Sequence, residues 1–138
     1  MEKVLISQVK CLAELPDYEF DGRYVCDKNG QVYLIASADT FRYYCRAMKP
    51  FFTSDGYVEY VLTNKNGVKK HIQAQRIVGW LFLPKPRPDQ KYVDHKNGDR
   101  SDNRVSNLEW VTQSENIRRS WMQRNNPNRI RYNEKYKK

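Results

Sequence analysis

The 138-residue sequence predicts an α+β fold: an N-terminal antiparallel β region closed by a helix, a strand-loop-strand-helix unit, and a basic C-terminal arm. Three observations predict it. Asn-Gly and Asp-Gly dipeptides punctuate runs of β-branched and aromatic residues as far as residue 72, which is the pattern of hairpins. From residue 74 the apolar period changes to that of a helix, and Thr112 with Glu115 forms an S/T-x-x-E box of the kind that opens one.

The elements follow in order. "MEKVLISQVK" carries an apolar run far too short for a signal peptide, and no stretch approaches the roughly 20 apolar residues of a membrane span. "GRYVCDKNGQVYLIA" predicts a hairpin turning at Asn29-Gly30, and "SDGYVEYVLTNKNGVKKHI" a second turning at Asn66-Gly67, with Asp55-Gly56 opening its first strand. In that strand Val58, Tyr60 and Leu62 take one face and Tyr57, Glu59 and Val61 the other, so one face packs and the other stays wet. In "HIQAQRIVGWLFL", Ala74, Ile77, Val78 and Leu81 keep helical spacing, and Pro84 ends the helix. The prolines of "PKPRPDQK" make an extended connector and a module boundary near residue 84. The capping box then predicts a helix over 113–124, stopped by "RNNPN". The division expected is 1–83, 84–124 and a tail of 125–138.

Composition narrows the partners. A formal net charge of +9 with 13% aromatic residues, ten of them tyrosines, suits a polyanion-binding surface, with cations for phosphates and rings for sugars or bases. Most of that charge lies from Ile117 onward, where Arg118, Arg119, Arg124, Arg129, Arg131, Lys135, Lys137 and Lys138 face the single acid Glu134. Phosphate contact is the reading favoured over a merely solvated arm, because the run flanks the candidate site. Cys11, Cys26 and Cys45 are an odd set with no C-x-x-C, which argues against a disulfide framework or a zinc knuckle. A cytoplasmic location is expected.

The chemistry concentrates in "VDHKNGDRSDNRVSNLEWVTQSEN", residues 93–116. Residues 92–94 and "LEWV" (108–111) are predicted as two strands around a long loop, with Asn116 in the first turn of the helix. Asp94 and Asn116 can then converge from strand and helix, and two oxygen donors suit a hard divalent cation such as Mg²⁺. His95 follows Asp94, so strand alternation sends the side chains apart, and a twist or bulge is needed for the imidazole to reach the neighbouring site. An imidazole is a suitable base for water near neutral pH. Its tautomer needs a partner, for which Asn107 is the candidate, while Asn97 and Asn103 are read as turn and loop-locking residues.

Asp94-His95, Asn107 and Asn116, spaced as His-x11-Asn-x8-Asn, resemble the HNH family of nucleases in the variant found in phage and intron-encoded homing endonucleases. Upstream, "QAQRIVGWLFLP" is similar to the helix that precedes the motif in that family, and "YVCDKNGQVY" to the small β-hairpin motif often found at its N-terminus. The resemblance implies a ββα-metal (His-Me finger) motif in which His95 is the general base, Asp94 and Asn116 ligate one Mg²⁺ or Mn²⁺ ion, and Asn107 orients the histidine and pins the loop. Gln75-Arg76 stands where the family usually has His-Arg, and the tail is too short for the helix-turn-helix of longer relatives, so weaker extended site recognition is expected.

The function expected is a metal-dependent DNA endonuclease, a monomer that nicks double-stranded DNA to leave 5′-phosphate and 3′-hydroxyl, without a nucleotide cofactor or a membrane, in a phage-infected bacterial host. Arg118 and Arg119 are expected on flanking phosphates, and Arg76, Arg42, Arg46, Lys65, Lys69 and Lys70 along the duplex. A non-catalytic DNA-binding protein on the same scaffold is the rival reading, and an RNA-directed nuclease or a DNA-degrading toxin a further one. His71 is expected to be a hydrogen-bonded or packing residue, Trp80 and Trp110 core, and Trp121 to pack the last helix onto the motif.

Overall fold

Glycine turns and alternating strands build the first half of the chain as expected. The computed structural model describes residues 1–124, with side chains as far as 119. The tail from 125 and the packing expected of Trp121 lie outside the described residues. Strands β3 (Tyr24–Asp27) and β4 (Val32–Ala38) meet around Gly30, whose φ of +88° a side chain would resist. With β1 (Glu2–Leu5), β2 (Val9–Cys11) and β5 (Arg42–Ala47) they form an antiparallel sheet in the order β1-β5-β4-β3-β2. The edge strands β1 and β2 were not expected from the sequence.

A second sheet, β6-β7-β8, joins Phe51–Phe52, Val58–Thr63 and Lys69–Gln73. Asp55-Gly56 lies in the turn between β6 and β7, and Asn66-Gly67 in the turn between β7 and β8. The alternation along β7 is the one expected: Val58, Tyr60 and Leu62 are buried, and Glu59, Val61 and Thr63 are half-exposed. Helix α1 (Ala74–Phe82) buries Ala74, Ile77, Val78 and Leu81 and stops before Pro84.

The connector leads to β9 (Tyr92–His95), which pairs in regular antiparallel register with β10 (Leu108–Val111). Helix α2 (Gln113–Arg124) follows. Its start is a reciprocal capping box: the Glu115 N–H donates to Thr112 Oγ1 at 3.2 Å and the Thr112 N–H to Glu115 Oε1 at 3.3 Å.

One hydrophobic core runs through these parts, with Leu12, Tyr24 and Val32 of the first sheet region, Tyr60, Leu62 and Ile72 of the second, Ile77 and Val78 of α1, and Leu108 of β10. Helix α1 is seated against the β9–β10 pair at Gly79. A Cβ there would lie 2.8 Å from Val93 Cγ2 and 3.3 Å from the Trp110 ring. Gly79→Ala should therefore lower stability by about 1–3 kcal/mol, the usual cost of overpacking, against the small gain in helix propensity. A urea melt checks it, and an unchanged midpoint would show that the helix can retreat from the strands. Trp110 is buried and meets the half-buried Trp80 edge to face at 4.9 Å, the core role expected of both.

Candidate active site

The ββα unit opens a pocket of about 90 Å³ where β9 ends, lined by Tyr57, Val93, Asp94, His95, Gly98, Arg100 and Asn116. The three residues expected to carry the chemistry, Asp94, His95 and Asn116, are brought together in it. No bulge interrupts β9. His95 is instead its last residue, and the Gly98 N–H donates to the His95 carbonyl at 2.9 Å, so the chain turns away and the pocket reaches both neighbouring side chains.

His95 is 4% exposed. Its Nε2 lies 2.7 Å from Oδ1 of Asn103, an atom that can only accept, so Nε2 carries the proton and Nδ1 keeps its lone pair. Burial pushes the imidazole below its ordinary pKa of 6.5, against the weaker opposing effects of the Asn103 bond and the Asp94 and Asp99 charges. A neutral imidazole ready to accept a proton is the result near pH 7.

The histidine's partner is a correction to the sequence reading, which gave that role to Asn107. Asn107 lies across from Lys96, whose N–H donates to its carbonyl at 2.8 Å, while His95 lies across from Leu108. The Asn107 amide is spent on Asn97 and Asp102 and makes no bond to the imidazole. It locks the loop instead. Asn107 Oδ1 accepts from the Asn97 N–H at 3.1 Å, and Nδ2 donates to Asn97 Oδ1 at 3.0 Å and to the Asp102 carbonyl at 2.9 Å. Asn103 reaches the ring because the first hairpin supports it: a Cβ on Gly30 would lie 2.9 Å from Asn103 Cβ, and the Val105 N–H donates to the Lys28 carbonyl at 2.9 Å.

Arg119 and Arg76, both expected on DNA, make contacts within the chain: Arg119 Nη1 donates to Asp94 Oδ2 at 2.9 Å and also contacts Glu109 Oε1. Arg76 donates to the Lys91 carbonyl at 3.1 Å and lies over the Trp110 ring, strapping the proline connector to α1. Arg118, Arg42, Arg46, Lys65 and Lys69 are exposed and Lys70 is half-buried, and none of these lines the pocket. His71 is an exposed residue hydrogen-bonded to Glu59 at 2.7 Å and does not line the pocket.

Sequence reasoning missed Arg100, the cation among the pocket-lining residues. Its guanidinium sits 4.7 Å from the Tyr57 ring centroid and donates to the Asp55 carbonyl at 2.8 Å, so the β6–β7 turn holds it in place. Tyr57 also lies 6.1 Å from the imidazole, ring centre to ring centre. A basic residue in the loop between the two site strands was the available signal.

Asp94 and Asn116 supply hard oxygen donors on one polar pocket, with the imidazole beside them. Among the described residues no three His, Cys, Asp or Glu side chains gather into a closed metal cage. So small a donor set fits a hard divalent ion that keeps several waters and accepts substrate oxygens.

Comparison with known proteins places this geometry. Residues 73–118 match the family model described as HNH endonuclease. The HNH endonuclease L247 of Acanthamoeba polyphaga mimivirus is 32% identical over 105 residues, which are 76% of this chain and 23% of that protein. The DNA endonuclease I-HmuI of Bacillus phage SP01 is 34% identical over 98 residues, 71% of this chain and 51% of its own. The chain thus spans between about a quarter and a half of the length of these relatives. A solved structure of DNA binding and cleavage by the HNH homing endonuclease I-HmuI superposes with a TM-score of 0.65 at 28% identity, covering 89% of this chain and 59% of the other. The motif and the backbone that carries it agree with those relatives: residues 73–118 match the HNH endonuclease family model, and most of the chain is similar to a phage homing endonuclease.

Proposed function

We propose that this chain is a metal-dependent DNA endonuclease of the homing type, which nicks one strand to leave a 5′-phosphate and a 3′-hydroxyl. The observation that carries the reading is a buried, neutral His95, fixed by Asn103 as the Nε2-protonated tautomer, in one pocket with Asp94 and Asn116.

His95 Nδ1 takes a proton from water as that water attacks phosphorus, the bond to the 3′-oxygen breaks in line, and the departing oxygen takes a proton from solvent. Asp94 and Asn116 would hold a Mg²⁺ or Mn²⁺ ion, which when bound supplies positive charge to the phosphate and to the departing oxygen. Arg100, held over the Tyr57 ring in the pocket lining, supplies a positive charge to the phosphate. Exposed Arg42, Arg46, Lys65, Lys69 and Arg118, with half-buried Lys70, extend the contact along the duplex backbone. One base addresses one scissile phosphate, so a monomer nicks.

Incubation with supercoiled plasmid tests this reading. Open circles should accumulate before linear DNA, only with Mg²⁺ or Mn²⁺, and DNA ligase should reseal them, as it does for 5′-phosphate and 3′-hydroxyl ends. Cleavage that survives EDTA would remove the metal from the mechanism. Retarded but uncut DNA under every divalent ion would favour the non-catalytic DNA-binding protein.

A further inference from the structure

Asp94 and Glu109 are cross-strand partners in the β9–β10 ladder, so both carboxylates leave the same face. Two like charges directly opposite each other destabilise a strand pair. Between them sits Arg119, three residues beyond Asn116 on α2 and on the same helical face as that residue. One nitrogen, Nη1, donates to both: to Asp94 Oδ2 at 2.9 Å and to Glu109 Oε1. The Asp94 side chain is only 13% exposed, whereas Glu109 is 39% exposed.

We propose that Arg119, braced by Glu109, is a positioning residue that reserves one oxygen of Asp94 and sets the charge of the metal site. The inference rests on the metal reading of the pocket given above. With Oδ2 committed to the guanidinium, Asp94 offers a cation its other oxygen alone, in a fixed orientation. Glu109 offsets the guanidinium charge, so the trio keeps a net charge of −1 and Arg119 does not repel the ion that Asp94 must hold. Glu109 has no place in the pocket lining. Its role is to hold Arg119 and to balance it.

This arrangement predicts effects of opposite sign on metal binding, measured without DNA and apart from cleavage. Arg119→Gln removes the positive charge beside Asp94 and frees its second oxygen, and should tighten Mn²⁺ binding. Glu109→Gln leaves the guanidinium unbalanced beside Asp94 and should weaken it. Each change should be on the order of tenfold, the effect of one unit charge a few ångströms from a divalent ion in a dielectric close to that of water. The double variant restores the net charge and should return to within about threefold of the wild-type affinity, while its cleavage stays low because Asp94 is no longer held. Arg119→Lys keeps the charge and should keep the affinity.

Titration calorimetry of the full chain with MnCl₂, alongside thermal melts, performs the test. Wild-type affinity or weaker binding in a folded Arg119→Gln protein, or unchanged affinity in Glu109→Gln, would reduce the trio to a packing contact and overturn the proposal. Should Arg119→Gln fail to fold, Glu109→Gln decides alone, because its altered side chain is partly in water and nearly isosteric. A wild-type chain that takes up no Mn²⁺ would overturn the metal reading itself, a result distinct from bound metal whose affinity ignores both charges.

Discussion

Replacing His95 by alanine should lower the rate of DNA cleavage by about 10²- to 10⁴-fold, the range typical of a lost general base, while DNA affinity stays within about twofold. The asymmetry follows from what the imidazole does. Buried and neutral, it offers the duplex neither charge nor surface, so it contributes little to binding. Its Nδ1 lone pair matters only as a proton leaves the attacking water. Single-turnover cleavage at saturating enzyme, beside a binding titration in Ca²⁺, separates the two quantities. A melt shows whether the cavity left at a 4% exposed position has loosened the fold. Turnover above about a tenth of the wild-type rate, in a protein that still binds DNA, would remove His95 from the role of base.

Much of this site was legible because local rules act within a few residues. Thr112 and Glu115 fixed the start of α2 through their reciprocal bonds, and that start fixed Asn116 in the first turn, facing the strand that carries Asp94. Asn29-Gly30 and Asn66-Gly67 marked their turns because only a residue tolerant of positive φ fits there.

What was not legible depends on contacts across the chain. Strand β1 pairs with β5 at positions some forty residues away, and nothing local to "MEKVLISQVK" announces that partner. Asn103 and Asn107 are the same residue type in one irregular loop. Which of them meets the imidazole is decided by the bonds of Asn107 to Asn97 and Asp102 on one side and by the approach of Gly30 on the other. Arg119 looked like a phosphate ligand because charge alone was visible in the sequence. Its bond to Asp94 comes into view only once Glu109 falls opposite Asp94, a consequence of pairing β9 with β10.

Asn107→Ala and Asn103→Ala should therefore fail in different ways. Asn107 is 6% exposed and its amide makes three hydrogen bonds, to the Asn97 N–H, to Asn97 Oδ1 and to the Asp102 carbonyl. Truncation leaves these groups short of partners in a part-buried loop, which costs about 2–4 kcal/mol in total. The melting temperature should fall by roughly 5–15 °C. Cleavage falls with it, because Gly98, Arg100 and Asn103 all ride on the loop that Asn107 closes. Asn103 is bound to less: the imidazole at 2.7 Å and the Ser101 carbonyl at 3.5 Å. Its loss should cost only about 1 kcal/mol of stability. It frees the imidazole to place its proton on either nitrogen and to rotate, so cleavage should fall on the order of tenfold in a protein that melts almost normally. Melting curves and single-turnover rates on the two variants, read together, assign the roles. An Asn107→Ala protein that melts like the wild type but cleaves poorly, beside an Asn103→Ala protein with full activity, would return the orientation of His95 to Asn107.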